Sequence, residues 1–415
     1  MQPHHDYDLI VAGAGMVGMS TALWAQSEGL RVVVCDPNPA GSGTTSGSAC
    51  VIATYACNPV NSPSIIKSLP TLLTSPDSPL SFNLMHGLKN PAWMLSFLNN
   101  CRPTRVDHIA NALAGLLAHT NDGLNPLIAL ADAQDLIIEN DCLYVWSTAS
   151  GHAASLPSEA RRASLGVQSE DLSPSDIQSL EPNIRLPLHR GLRFKGARHI
   201  ASPQELVSRM HRKFTVLGGT TLPQTILSSI ADADGVTAQL SDNTPIRASR
   251  LVVAAGARSR DIKGSGAEKL PLGTERGYHI LYENHRNLLS RPVGWAEAGF
   301  YATPMADGLR VAGTVEINAT DAPFNQKRTA YLTRKSHDMF GDLGAPDSEW
   351  LGHRPTMPDS LPVIGHSNKS DRIIMAFGHQ HIGLTLGGIT GKIATDLAQG
   401  RKPSCDITAF SADRF

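Results

Sequence analysis

No stretch of this 415-residue chain has the length and apolarity that a membrane-spanning helix needs. Basic blocks are missing too: 36 Lys and Arg balance 37 Asp and Glu, which argues against nucleic acid as a main partner. The six cysteines (Cys35, Cys50, Cys57, Cys101, Cys142 and Cys405) show no C-x-x-C pair and no metal-ligand spacing. No metal site is therefore expected, and a reduced, cytoplasmic setting fits these thiols best. The polar Met1–Tyr7 segment does not read as a secretory leader, and His4 and His5 within it read as solvent-exposed. Internal repeats and low-complexity tracts are absent. What remains is a globular balance, 41% hydrophobic and 18% charged, enough for one large or two moderate domains.

The N-terminal run carries the clearest chemistry. An apolar segment, Asp8 to Ala12, enters the turn Gly13-Ala14-Gly15-Met16-Val17-Gly18; a second apolar segment then ends on Asp36. In such a G-x-G-x-x-G turn the first glycine makes the bend and the second admits a pyrophosphate to the backbone. The third lets the helix pack on the strand. The helix N-terminus offers free N–H groups and a positive dipole end to phosphate, and Asp36 stands where a carboxylate meets a ribose. Strand, turn, helix, strand and acid occur in order, so the chain is expected to bind FAD or NAD. The small polar run from Pro37 to Cys50 follows, either a surface loop or a second phosphate and flavin contact.

Further along, helical spacing predicts one or two amphipathic helices from Arg105 to about Asp132. Ser173, Pro174 and Asp176 mark a helix start, and Ser202-Pro203 opens another through about Phe214. Strands are expected over Leu136–Trp146, Thr221–Leu251, Leu251–Ala257, Gly273–Tyr282 and Ile373–Phe377. A hairpin is expected over Gly299–Val315, and a helix after Gly383. The apolar patch Trp93–Leu98 reads as core or as a peripheral membrane contact.

Five places carry a family resemblance: the Gly13–Gly18 turn with Asp36; Thr44-Thr45-Ser46 before Ala49; Leu251–Gly256; Trp350-Leu351-Gly352-His353-Arg354-Pro355 with Pro358–Gly365; and Gly378-His379-Gln380-His381-Ile382-Gly383-Leu384-Thr385. Over nearly its whole length the chain resembles the FAD-dependent D-amino acid oxidase and dehydrogenase superfamily, which also holds glycine and sarcosine oxidases. It is most similar to the bacterial D-amino acid dehydrogenase branch. The paired C-terminal motifs favour FAD over NAD.

The resemblance implies an α/β fold in which a Rossmann-like FAD-binding domain is interleaved with a mixed-sheet (α+β) substrate domain. Segments 1–82, 200–270 and 350–415 would form the first domain, and 83–199 and 271–349 the second. It also implies non-covalent FAD held by Gly13, Gly15, Met16, Val17, Gly18, Asp36, Thr44, Thr45, Ser46, Ala49, Cys50, Ile226, Ala255, Gly256, Arg354, His381, Ile382, Gly383, Leu384 and Thr385. Arg354 would bind the substrate carboxylate beside the flavin, since a planar guanidinium pairs bidentately with it; a structural ion pair is the alternative. Tyr301, Tyr278 and His279 would line the pocket or pack as strand residues, and His381 and Thr385 would touch the flavin or cap the helix. Cys50 stands where the family often has glycine and reads as a small buried residue.

The implied reaction is oxidation of a D-amino acid, with D-proline or a hydroxy-D-proline as a specific substrate, by hydride transfer from Cα to the flavin. The electron acceptor would be oxygen or a membrane quinone or carrier. A sarcosine- or glycine-type amine oxidase and a non-catalytic FAD-binding subunit are the alternatives.

Overall fold

The computed structural model describes residues 6–63, 66, 78–83 and 90–415. His4 and His5 lie outside the described residues, as does part of the Ser62–Asn100 stretch. The helices, in chain order, are α1 (Met16–Ser27), α2 (Pro91–Asn99), α3 (Pro103–Leu117), α4 (Thr120–Leu130) and α5 (Ala149–Ser164). They continue with α6 (Pro174–Leu180), α7 (Pro203–Val216), α8 (Gln326–Phe340) and α9 (Gly383–Ala398).

The first sheet has a parallel centre: Thr220–Leu222, Val32–Cys35, Tyr7–Ala12, Pro245–Val253 and Ser370–Phe377. A parallel sheet is covered on both faces, and the sequence complies: all four residues of Val32–Cys35 are buried. Leu9 and Val11 face the cluster built with α1 and α9, while Ile10 and Ala12 face the cluster on the other side. The Pro245–Val253 strand changes partner along its length. Its first half pairs antiparallel with Val236–Leu240, and its second half pairs parallel with Ser370–Phe377. Helix α9 lies along α1 through Gly387 and Gly391, where a Cβ would stand 2.6 Å from Met16 Cγ and 2.6 Å from the Ser20 carbonyl carbon.

The second sheet runs Ser348–Thr356, Gly273–Tyr282, Gly308–Ile317, Phe300–Met305, Val293–Trp295, Cys142–Trp146, Arg190–Phe194 and Ser169–Leu172. One face packs on α8: Tyr278, Ile280, Leu309, Val311, Phe300 and Ala302 join Tyr331, Leu332, Met339 and Phe340. Alternation then puts Glu275, Gly277, His279, Arg310, Ala312, Tyr301 and Thr303 on the opposite face. The Ser348–Thr356 strand, which carries Trp350 and Arg354, hydrogen-bonds into this sheet against Gly273–Tyr282. Its place explains how a C-terminal motif reaches the face shared with Tyr301. A small sheet of Val51–Ile52, Arg198–Ile200 and Ile137–Ile138 lies at the junction.

Local expectations meet particular outcomes. Ser173 and Asp176 form a reciprocal capping box on α6, and Ser202 caps α7. The amphipathic stretch after Arg105 forms α3 and α4. The Trp93–Leu98 patch lies in α2, where Phe97 is buried and Leu95 is 68% exposed. Among the described residues no helix is long and apolar enough to cross a membrane.

Candidate active site

The C-terminal ends of the parallel strands form the first half of the site. Gly13 bends at φ +106, and a Cβ there would stand 2.6 Å from the Ala254 carbonyl oxygen. A Cβ on Gly18 would lie 1.9 Å from the Gly13 carbonyl oxygen, so this helix–strand contact admits only glycine. A Cβ on Gly15 would meet only Thr45 Oγ1, at 3.7 Å, which leaves its backbone open to a ligand. Asp36 accepts hydrogen bonds from the Ala14 and Asn38 N–H groups, each at 2.8 Å. Thr45 Oγ1 accepts from the Met16 N–H at 3.1 Å. Helix α1 begins with no side-chain cap on Gly15 and no acid in its first turn. A helix N-terminus with only Thr45 as side-chain partner and no acid in its first turn, beside an open glycine, fits the pyrophosphate of a dinucleotide.

Met16 is buried and Val17 half-buried in the same turn. Ala255 and Gly256, the latter at φ +55, follow the strand whose end abuts Gly13. Ile226 is buried at the start of Ile226–Ala231, farther along the sheet. Thr44 is exposed and donates to the His353 carbonyl oxygen at 2.9 Å, tying the loop to the second sheet.

The Ser46–Cys50 loop is held against the second sheet by side chains of that sheet. Arg310 donates to the carbonyl oxygens of Ser46 at 2.6 Å and Ser48 at 3.2 Å, and lies 3.4 Å from Cys50 Sγ. Thr303 donates to the Ala49 carbonyl oxygen at 2.9 Å. His279 Nδ1 lies 3.1 Å from the Gly47 carbonyl oxygen, and its ring stacks on Trp350 at 5.0 Å. Burial, then the charge of Arg310, pushes the His279 pKa down to about 3, so the neutral ring donates from Nδ1. Trp350 covers Gly47 so closely that a Cβ there would be 2.3 Å from the indole. Cys50 is buried at φ +67, a conformation that favours glycine.

Arg354 stands opposite Glu275 across paired strands. Its guanidinium lies over Gly277, where a Cβ would be 2.5 Å from Cζ. It donates to the Thr314 carbonyl oxygen at 3.1 Å, and no carboxylate lies within 4.0 Å of it among the described residues. Burial raises the Glu275 pKa, and Arg354 opposes that shift. The fork of Arg354 thus retains donors for an incoming anion.

The turn before α9 closes the arrangement. The Gln380 N–H donates to the Pro355 carbonyl oxygen at 2.8 Å, next to Arg354, and Gln380 sits at φ +50. Its Nε2 is buried without a partner. His381 is solvent-accessible, yet burial among surrounding protein and then Arg354 push its pKa down to about 4. The ring is therefore neutral and lies near Arg354. Ile382 and Leu384 are buried, Gly383 begins α9, and no side chain caps the helix. Thr385 Oγ1 accepts the Ala53 N–H at 3.0 Å and so holds the segment after Cys50. An orphaned amide donor and an uncapped helix start in this turn suit the polar edge of a flavin ring.

The structure therefore brings together Arg354, His381, His279 and the Ser46–Cys50 loop, while Tyr278 lies elsewhere. Its hydroxyl donates to Glu316 at 2.5 Å on the α8 face, within a buried network with Arg276. Tyr301 is on the site face, and its hydroxyl accepts from Tyr55 at 3.3 Å. Tyr55, Tyr144, Thr303 and Arg310 carry no site signal of their own in the sequence, while Trp350 and Gln380 stand in the C-terminal motifs with no role assigned to them there. The alternation of Tyr301, Thr303 and Arg310 along a hairpin otherwise rich in apolar residues is the signal that could have found two of them.

The FAD-dependent oxidoreductase (DAO) family model matches residues 8–397. A D-amino-acid oxidase of Bradyrhizobium diazoefficiens is 31% identical over 413 residues, covering 98% of each chain. A D-amino acid dehydrogenase 2 of Ralstonia nicotianae is 26% identical over 438 residues, 98% of this chain and 100% of the relative. In fold, the chain is similar to glycine oxidase from Geobacillus kaustophilus (TM-score 0.77, 18% identity, 99% of this chain and 100% of that one). Iminodiacetate oxidase from Chelativorans sp. gives a TM-score of 0.71 at 18% identity, over 97% and 98% of the two chains. With two helix starts and a glycine turn that suit a flavin dinucleotide, and a family match across almost all of its length, the chain belongs to the DAO family of FAD-dependent oxidoreductases.

Proposed function

We propose that the protein oxidises D-amino acids, taking the hydrogen from Cα and leaving an imine that water converts to a 2-oxo acid and ammonia. The observation that carries this reading is the Arg354 fork, which has donors to spare and no carboxylate partner among the described residues. A substrate carboxylate would pair with it bidentately, fixing the direction of the Cα–H bond. Tyr301 would donate a hydrogen bond to the bound substrate. The depressed pKa values of His279 and His381 leave both rings uncharged beside the bound substrate. FAD, when bound, supplies the acceptor for the hydride equivalent. The α1 N-terminus, Asp36 and Thr45 would hold its dinucleotide part, and the α9 turn its ring.

The relatives named for D-amino acid oxidation and dehydrogenation support this choice of substrate stereochemistry. D-Proline and hydroxy-D-proline remain within the proposal as members of that class, their imine staying in the ring with no ammonia released, and the acceptor is oxygen or a quinone-type carrier. The test is anaerobic mixing of the yellow holoenzyme with paired D- and L-amino acids, proline included. Bleaching by D-forms alone is expected, and air then separates oxidase from dehydrogenase by reoxidation. Bleaching by sarcosine or glycine but by no chiral D-form would overturn the reading, as would no bleaching at all.

A further inference from the structure

Beyond Tyr301 the site face of the second sheet continues past Gly294 to Tyr144. Gly294, opposite Tyr301 and Tyr144 in the ladder, leaves room for both rings: a Cβ there would be 2.6 Å from one and 2.8 Å from the other. Tyr55 stacks on Phe194 at 3.9 Å and reaches both Tyr301 and Cys142 with its hydroxyl. Trp146 stands edge-on to Tyr144 at 5.3 Å. The floor is therefore aromatic.

The roof is α5, and it is unusual for a helix that covers an aromatic floor. None of its residues is fully buried. Its inward positions are His152, Ser155, Ser158, Glu159 and Arg162, all half-buried and all polar. A polar roof on an aromatic floor is poor packing for a core and good packing around an amphipathic ligand.

The charges of the roof are unequal in their partners. Glu159 accepts from Ser155 and faces His152 at 3.8 Å. Glu297, at the start of α5, is taken up by the Ser147 and Thr148 N–H groups. Arg161 pairs with Asp107 at 3.0 Å. Arg162 alone lies 5.5 Å over the Phe194 ring, with its Nε buried and unpartnered and no acid within 4.0 Å among the described residues. Its field reaches the Tyr301 and Tyr144 hydroxyls, where it opposes the upward push of burial. A guanidinium kept unpaired beside a substrate-facing tyrosine is a site for an anion.

We propose that Arg162, with Tyr55 and Tyr144, forms a subsite for the side chain of the substrate, and that this subsite selects D-amino acids whose side chain ends in a carboxylate. The proposal rests on the D-amino acid reading above. Arg354 would hold the α-carboxylate and Arg162 the distal one, with the aliphatic carbons against the aromatic rings.

The test compares D-glutamate and D-aspartate with D-norvaline and D-alanine in the wild-type holoenzyme, Arg162→Leu and Arg162→Lys. The wild type is expected to favour the acids in kcat/KM. Arg162→Leu should lose about 10- to 100-fold on the acids, as for a charge-assisted pair, and under about twofold on D-alanine. Arg162→Lys should restore part of the loss. Equal losses on acidic and neutral substrates, or no acidic preference in the wild type, overturn the proposal.

A second readout does not need turnover. Glutarate and butyrate are titrated into the holoenzyme while the flavin spectrum is followed. Glutarate should bind at least about tenfold more tightly in the wild type and lose that advantage in Arg162→Leu. If no D-amino acid reduces the flavin but glutarate keeps its Arg162-dependent advantage, the D-amino acid reading fails and the anion subsite stands. Equal binding of the two acids in the wild type removes the subsite, whatever the reaction is.

Discussion

The two large sheets meet the site in opposite ways. The first presents backbone: Gly13, Gly15 and Gly18 shape its end, its strands are Val, Ile and Leu buried on both faces, and the polar contacts come from N–H groups. The second presents side chains: Arg354, His279, Arg310, Tyr301 and Trp350 stand on one face, while the other rests on α8. A backbone site is rigid and generic, suited to phosphates and to the shared part of a cofactor. A side-chain face can be edited one residue at a time, which suits the part that differs among substrates. Substitutions in the first sheet should therefore act on fold and cofactor loading, and those in the second on substrate.

The largest expected effect breaks the first side. Gly18→Val pushes a side chain into the Gly13 carbonyl oxygen, 1.9 Å from the Cβ position, and should cost about 3 kcal/mol or more. Urea unfolding and flavin content should fall together. Gly15→Ala sharpens the point, because its Cβ meets only Thr45 Oγ1 at 3.7 Å. Unfolding should change by under about 1 kcal/mol, while FAD affinity drops because the phosphate approach is blocked. Parallel losses of stability in both variants would erase the distinction.

Next in size is Arg354→Met. It should raise KM on the order of 100-fold, with a smaller fall in kcat, and leave flavin content intact. An unchanged KM would remove Arg354 from substrate binding.

The third effect is spread over buried histidines. His279 and His379 are held down to about 3, and His199 to about 4, against an ordinary value of 6.5, each mainly by burial. Below pH 6.5 the unfolded chain takes up protons that the folded chain refuses. Stability is therefore full above that pH and is lost as pH falls from about 6.5 toward 4. Thermal melts between pH 7 and 5, where few carboxylates titrate, should show a steady decline. A flat profile there would mean that these rings are charged in the folded state.

Cys50→Gly should be the smallest effect. Relief at φ +67 offsets the lost burial of the thiol and the added freedom of the unfolded chain, for a net change under about 1 kcal/mol. Cys50→Val, which keeps bulk but adds a β-branch at positive φ, should cost more than that in the same unfolding assay.

What could be read from the sequence follows the same division. The dinucleotide turn is local, eleven residues whose types dictate their own geometry, so it was legible at once. The site face of the second sheet is assembled from strands at Cys142–Trp146, Gly273–Tyr282, Phe300–Met305, Gly308–Ile317 and Ser348–Thr356, and no local pattern states which face is inward. Tyr278 and His279 were both expected in the pocket, yet neighbours in a strand point to opposite faces, and a register shift between Arg276 and Tyr278 blurs the count. Helix α5 left no periodic signal, because Pro157 lies inside it and its inner positions are polar. Helix α8 was not expected either; most of its surface is charged, and only Tyr331, Leu332, Met339 and Phe340 mark its packed side.

The order in which the first sheet is built has a consequence for biosynthesis. Its strand at Ser370–Phe377 slots beside Leu251–Val253, and α9 lies along α1, so the last strand and the last long helix close a layer begun at Tyr7. A nascent chain has the glycine turn long before either of these partners. The early segments must wait, with apolar strand edges uncovered, until Ser370–Ala398 has been made. Truncation before α9 should therefore leave this layer open and yield a chain prone to proteolysis rather than a partial enzyme.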